Sequence, residues 1–215
     1  MRRARQKSAH LADLIPPSHE RCMAISPDSV GEMIERVVEL SRSYAIWWEL
    51  QKKPNAKRYA ATFQDHQDFF GTIIHSLLQG FCVIAYQLFE RRNDTKSIRS
   101  LVDELSFSDS SLAAQLRARV DARKPLLGKV FSIRGNVYAH RNKARAPQAT
   151  FAAARLTPKE MKTVVHLAQN TVASLAEAAG FGTKDDLKGD IRRRQAFAII
   201  ETRDVMRVLT TAAPR

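Results

Sequence analysis

The sequence contains few residues of the kinds that cross-link or interrupt a chain. It has two cysteines, eight glycines and eight prolines among 215 residues. Cys22 and Cys82 are too few for a disulfide framework or a thiolate metal site, which favours a reducing compartment. The N-terminus has no apolar run long enough for a signal peptide, and no strongly apolar run approaches a membrane span. We therefore expect a cytoplasmic protein that is not embedded in a membrane.

Strand patterns and the common cofactor motifs are also missing. Alternating apolar runs and Asn-Gly hairpin turns do not occur, which argues against a β-sheet. His66 and His75 lack the neighbouring histidine or carboxylate that would complete a metal-ligand set, so no metal site is expected. His75 and His166 each follow apolar residues and are predicted to be structural. Without a glycine-rich phosphate loop, a nucleoside triphosphatase is not supported, and no cofactor is predicted.

Helical periodicity is plain throughout the chain, and it predicts an all-α bundle of about five to seven helices. The first helix begins at Ser26 and ends before Pro54. A long second helix spans about residues 56–90, where apolar residues repeat by sevens, and shorter helices follow near 98–105, 110–120 and 125–133. Thr157 begins a later helix, with Glu160 as its capping-box partner and Gly180 as its end. The segment "RAPQATFAAAR" is interpreted as a loop, and a terminal helix is predicted over about residues 192–210.

These patterns divide the chain into three parts. Residues 1–25 are predicted to form a basic, mobile N-terminal tail. Residues 26–180 form the helical domain, and residues 181–215 form a C-terminal helical extension that packs on the same domain.

Positive charge is concentrated in one part of the sequence. The formal net charge is +13. Between residues 117 and 145, Asp121 is the one acid among nine basic residues (Arg117, Arg119, Arg123, Lys124, Lys129, Arg134, Arg141, Lys143 and Arg145). A basic surface attracts polyanions, of which nucleic acid is the commonest in a cytoplasm. A solvated basic face without a partner is the alternative.

The basic region contains "IRGNVYAHRNK", in which Arg134 and His140 lie six positions apart. On an ideal helix Asn136 and His140 share a face, whereas Arg134 points about 120° away. Gly135 is a poor helix residue, and a bend there would bring Arg134 closer to His140. From spacing alone, two interpretations stay open: a catalytic pair, or an arginine that binds backbone carbonyls beside an ordinary histidine.

Longer stretches carry a family resemblance. "RGNVYAHRN" resembles the Arg-x(4–6)-His motif of the HEPN superfamily (higher eukaryotes and prokaryotes nucleotide-binding domains). The upstream "DFFGTIIHSLLQGFCVIAYQLFERRNDTKSIRSLVDEL" is similar to the abortive-infection U-type branch of that superfamily, and "LTPKEM" resembles the start of its next helix. The resemblance covers about residues 28–180 and implies a HEPN-like helical bundle.

The resemblance also implies a function, namely metal-independent endonucleolytic cleavage of RNA in a toxin or phage-defence effector. His140 would act as general base or acid, Arg134 would stabilise the transition-state phosphorane, and Asn136 would orient the phosphate or the histidine. The product would carry a 2′,3′-cyclic phosphate. Lys129, Arg141 and Lys143 would hold the RNA, a homodimer is expected, and an antitoxin protein would be a further partner.

A second class of function stays open beside the nuclease. Gly135 occupies a position that is usually polar in the family, which favours a catalytically silent, all-α module that binds nucleic acid or protein. A helix-turn-helix DNA regulator is less supported, because no short glycine-centred turn joins two well-spaced helices.

Overall fold

The structure, a computed structural model, describes residues 25–92, 94–139 and 147–212. All regular secondary structure in these ranges is helical, so the prediction of an all-α protein is confirmed. The helices are α1 (Pro27–Gln51), α2 (Lys53–Arg58), α3 (Ala60–Asp65), α4 (Gln67–Phe89), α5 (Ile98–Leu105), α6 (Ser110–Asp121), α7 (Lys124–Ile133), a π-helical segment (Arg134–Ala139), α8 (Pro147–Ala154), α9 (Pro158–Ala178) and α10 (Lys184–Ala212). The predicted N-terminal tail lies outside the described residues except for Ile25, which is buried.

The centre of the bundle is α1, which packs against α4, α9 and α10. Its apolar residues recur at helical spacing, so one side of the helix is buried along its whole length. The core between these helices includes large side chains with no exposed surface: Met33, Leu40, Phe81, Leu88 and Leu175. Full burial of one such side chain contributes about 1.5–3 kcal/mol, which makes this core the main source of stability.

The ends of α9 agree with the local sequence signals. The Thr157 hydroxyl accepts a hydrogen bond from the Glu160 backbone N–H (3.2 Å), and Glu160 Oε2 accepts one from the Thr157 backbone N–H (2.8 Å). Both bonds satisfy donors that the first turn of a helix leaves unpaired. Gly180 follows the helix with φ of +81°, a conformation that favours glycine. The predicted start and end of this helix are confirmed.

The predicted long second helix is instead three helices, which raises the number of helical segments above the predicted five to seven. The backbone leaves the helical conformation at Tyr59 and again at His66, which separate α2, α3 and α4. The two bends bring Tyr59 and Phe63 against Phe70 in a small apolar cluster. The Phe63 and Phe70 ring centroids are 4.7 Å apart. A seven-residue apolar repeat is compatible with either arrangement, and packing in the cluster favours the bent one.

Two further segments differ from the sequence predictions. The segment predicted as a loop contains helix α8, whose sequence is rich in alanine, the residue with the highest helix propensity. Helix α10 begins at Lys184 rather than near Arg192. It then runs along α1, where Gln195 Nε2 donates to the Ser41 carbonyl (3.2 Å). This contact places the C-terminal extension on the surface of the main bundle.

Helix α4 is long and apolar enough to cross a membrane when length and mean hydropathy, here 1.5, are the criteria. The helix reaches this mean although His75, Ser76, Gln79 and Gln87 interrupt its apolar residues, so it contains no uninterrupted apolar run of membrane-spanning length. One side of the helix is buried in the bundle through Phe81, Cys82 and Leu88. Since the core helix of a soluble bundle meets the same criteria, a cytoplasmic location stays a prediction.

Candidate functional site

The Arg-His motif begins where the backbone changes from an α-helix to a π-helix. Helix α7 ends at Ile133, and Arg134–Ala139 forms the π-helical segment. Gly135 lies within it, and a Cβ added to this glycine would meet no atom within 4 Å. Hydrogen bonds in a π-helix span five residues, and such segments occur often at functional sites. The irregular backbone lies where Gly135 predicts a bend, although its form is a widened helix.

Arg134 is half-buried and lies over an aromatic ring of α4. The guanidinium carbon is 4.1 Å from the centroid of the Tyr86 ring. Phe131 packs edge-on against the same ring, with a centroid distance of 5.1 Å. Among the described residues no carboxylate pairs with Arg134. No described carboxylate therefore neutralises the guanidinium, which is positioned by a ring face, a contact worth about 0.5–2 kcal/mol.

Asn136 turns its side chain back along the helix. Its Nδ2 donates to the Ser132 carbonyl (3.0 Å) and to Ser132 Oγ (3.3 Å). These two bonds fix the amide plane and leave Oδ1 as the acceptor on the other side. The orientation of the Asn136 amide, two residues after Arg134, is therefore fixed.

The second half of the motif lies outside the described residues. His140, Arg141 and Lys143 all fall in the gap between residues 139 and 147. The predicted proximity of His140 to Arg134 and Asn136 therefore stays a prediction, as do the proposed RNA contacts of Arg141 and Lys143.

Lys129, the remaining predicted RNA-binding residue, already has a carboxylate partner. Its Nζ lies 2.6 Å from Glu160 Oε1 and 3.5 Å from the Arg155 carbonyl. The hydrogen bond from Lys129 lowers the pKa of Glu160, and the backbone N–H of Thr157 adds to the effect. The Lys129 side chain is only about one-third exposed, at 35%. Phosphate would have to compete with Glu160 for this cation.

Two further residues beside the motif have no local signal in the sequence. Tyr138 packs edge-on against His75, with a centroid distance of 5.5 Å, and also contacts Phe151 of α8. Its hydroxyl is buried without a hydrogen-bond partner among the described residues, and burial raises its pKa. His75 is exposed, and its ring contact with Tyr138 is a packing contact at the surface of the bundle.

The all-helical bundle formed by the described residues fits a HEPN-type all-α domain. The family model HEPN_AbiU2, described as AbiU2, matches residues 31–197. The chain therefore belongs to the AbiU2 family of HEPN domains. The match continues past Gly180 into the first half of α10. No curated protein and no solved structure matches the chain.

Proposed function

We propose that this protein is a metal-independent RNA endonuclease that acts as an abortive-infection effector. The observation that carries the proposal is the Arg134 guanidinium, held on the Tyr86 ring without a carboxylate partner among the described residues. A planar, permanently charged group in this state matches the oxygens of a phosphate. Membership of the AbiU2 family of HEPN domains supports the same reaction class.

The reaction needs no activated water, because RNA carries its own nucleophile. His140, whose imidazole titrates near neutral pH, takes the proton of the 2′-hydroxyl. The 2′-oxygen then bonds to phosphorus while the bond from phosphorus to the 5′-oxygen breaks. The leaving 5′-oxygen takes up a proton, which leaves a 2′,3′-cyclic phosphate on one fragment and a 5′-hydroxyl on the other.

The other proposed site residues bind charge or set orientation. Arg134 donates to the phosphorane oxygens as negative charge accumulates on them. Asn136, fixed by Ser132, orients the scissile phosphate or the imidazole through its Oδ1. Lys129, Arg141 and Lys143 bind neighbouring phosphates.

Purified protein incubated with RNA in EDTA tests the reaction. Cleavage should persist, leave cyclic-phosphate ends, and stop when the scissile 2′-hydroxyl is replaced by hydrogen. His140→Ala should lower the rate about 10²–10⁴-fold while RNA affinity changes little. Equal rates for His140→Ala and wild type, or loss of activity in EDTA, would show that this mechanism is wrong. RNA binding without cleavage by the wild type would instead support the catalytically silent module.

We propose further that the protein is a cytoplasmic homodimer and that an antitoxin protein neutralises it. Both proposals follow from the family. Light scattering at micromolar concentration should give twice the mass of the chain, and a monomeric mass would contradict the dimer.

A further inference from the structure

A cleft beside Arg134 is not part of the proposed catalytic set. It has a volume of about 710 Å³ and lies between α4, α5, α6 and α7. Its floor is apolar and includes Val102, Leu116 and Leu127, each at most 4% exposed. Tyr86 and Phe131 form one wall. Because Tyr86 also supports Arg134, one aromatic ring joins this cleft to the motif.

The rim of the cleft is predominantly basic. Five cations line it (Arg91, Arg92, Arg99, Arg117 and Lys124), against two carboxylates, Glu90 and Asp121. The hydrogen bond from Lys124 lowers the pKa of Asp121, and the nearby charges of Arg91 and Arg99 lower it further. An anion at this rim would experience the same positive field.

Most of these cations have carboxylate partners, but the pairs are weak. Arg117 lies 2.8 Å and Arg99 3.9 Å from Asp103, and all three side chains are roughly half exposed, at 45%, 55% and 52%. Lys124 pairs with Asp121 at 2.9 Å, and Arg92 with Asp94 at 2.6 Å. Exposed pairs of this kind add little stability and are screened by salt, so a phosphate can take over their N–H donors. Arg91 has no ion-pair partner among the described residues.

We propose that this cleft binds one unpaired nucleotide of the RNA strand, next to the nucleotide that is cleaved. The base lies on the apolar floor against Phe131 and Tyr86, and its phosphate lies on Arg99 and Arg117. An apolar, aromatic-walled cavity with a basic rim fits a ligand that has a flat base at one end and a charged phosphate at the other. A base-paired strand cannot insert a base, so the cleft selects single-stranded RNA. This inference rests on the proposed function, because it assigns a substrate subsite to the same reaction.

Gly128 provides a direct test because it lines the cleft from α7. A Cβ added there meets no atom within 4 Å, so a larger side chain can begin at this position without a clash. Gly128→Phe should fill the cleft, and Gly128→Ala is the matched control with the same backbone change. Binding is measured by fluorescence anisotropy in the His140→Ala background, with a ten-nucleotide oligoadenylate and with an abasic ribose-phosphate strand of equal length.

The expected result is specific to base binding. Gly128→Phe should weaken oligoadenylate binding about 5- to 150-fold, the value of one stacked base, and leave the abasic strand unaffected. Gly128→Ala should bind both strands like the parent protein. Equal affinity of Gly128→Phe and the parent protein for oligoadenylate would overturn the proposal. Adenosine monophosphate distinguishes a free nucleotide from a nucleotide within an RNA strand. If Gly128→Phe abolishes binding of adenosine monophosphate and leaves oligoadenylate binding unchanged, the cleft binds a free nucleotide and the RNA subsite is wrong.

A second variant covers the case in which Gly128→Phe does not fold. Arg99→Gln combined with Arg117→Gln changes exposed side chains and should weaken oligoadenylate binding. The salt dependence should become shallower by about 0.7 for each phosphate that the variant no longer neutralises. An unchanged salt dependence would count against the phosphate position.

The outcome for the subsite is separate from the outcome for cleavage. If the wild type does not cut RNA but Gly128→Phe still weakens oligoadenylate binding, the endonuclease proposal fails and the subsite stands. If cleavage occurs with the same KM in Gly128→Phe, the subsite fails alone.

Discussion

The Arg134 guanidinium carbon lies 4.1 Å from the centroid of the Tyr86 ring, although the two residues are 48 positions apart in the chain. This contact connects the first residue of the π-helical segment to α4. It also fixes the direction of a long, flexible side chain that would otherwise lose conformational entropy on binding phosphate. The Tyr86 ring therefore holds the Arg134 guanidinium in one orientation before an anion binds.

Replacement of the ring should slow catalysis without removing any group that reacts. At saturating RNA, we expect Tyr86→Leu to lower the cleavage rate about 3- to 30-fold, because the ring face that holds Arg134 is worth about 0.5–2 kcal/mol. Tyr86→Phe keeps the ring face and should cleave at nearly the wild-type rate. Single-turnover rates compare the variants, and an equal loss in both would assign the effect to the hydroxyl group instead.

The Lys129–Glu160 pair predicts an unusual increase in affinity. Glu160→Gln removes the carboxylate that competes for Lys129 but keeps an oxygen for the Thr157 capping bond. RNA should bind more tightly, with a salt dependence steeper by about 0.7 if Lys129 then neutralises one phosphate. Lys129→Gln should have the opposite effect, and the increase should vanish when both substitutions are combined. Wild-type affinity for Glu160→Gln would show that Lys129 does not contact RNA.

The buried carboxylate of Glu49 holds three elements together. It is 3% exposed and accepts hydrogen bonds from Arg203 of α10 (2.6 Å), Lys52 (2.6 Å) and Asn55 (2.9 Å). Glu49→Gln should lower the free energy of unfolding by about 1–3 kcal/mol, since a charged acceptor is replaced by a neutral amide. Urea denaturation measures the change. Glu39→Gln, at an exposed site on the same helix, should be within about 0.5 kcal/mol of wild type.

The same carboxylate predicts a pH dependence. Burial alone would raise the pKa of Glu49, but hydrogen bonds from Arg203, Lys52 and Asn55 outweigh it and lower the pKa below the usual 4.5. The unfolded chain therefore binds the proton more readily, so this stabilisation is full above the unfolded pKa and is lost as the pH falls through the folded one. The stability difference between wild type and Glu49→Gln should be constant near neutral pH and shrink below about pH 4.5. A difference that grew in acid would reverse the assigned direction.

Two glycines should respond oppositely to alanine. Gly135 lies in the π-helical segment with open space around its Cβ position, so Gly135→Ala should raise stability by about 0.5–1 kcal/mol. Gly180 has φ of +81°, so Gly180→Ala should lower stability by about 1–2 kcal/mol. Thermal denaturation of both variants provides the comparison. A destabilised Gly135→Ala would mean that the π-helical backbone itself requires glycine.

The features that the sequence predicts well are the ones encoded over a few residues. Thr157 and Glu160 are three positions apart, and their reciprocal hydrogen bonds need no help from the rest of the fold. The bends at Tyr59 and His66 depend instead on a cluster with Phe70, and a seven-residue repeat does not distinguish bent from straight. A helical wheel likewise contains no information about which side of α4 stays uncovered, so the exposure of His75 could not be predicted from its apolar neighbours.

In the candidate site, too, local sequence features can be predicted and contacts between distant residues cannot. The motif identifies Arg134 and Asn136 by residue type, but nothing near Arg134 in the sequence indicates Tyr86 as its support. Lys129 belongs to a basic run, and only the packing of α7 beside the start of α9 reveals Glu160 as its partner. The basic cleft is likewise assembled from four helices, so no local pattern could predict it.

The π-helical segment makes this part of the chain sensitive to length as well as to composition. Because each hydrogen bond spans five residues rather than four, the segment accommodates a residue that a continuous α-helix would not need. Deletion of a single residue from Arg134–Ala139 would restore the α-helical register and turn everything beyond it by about 100° around the helix axis. Arg134 would keep its place on Tyr86, while Asn136 and Tyr138 would face new neighbours.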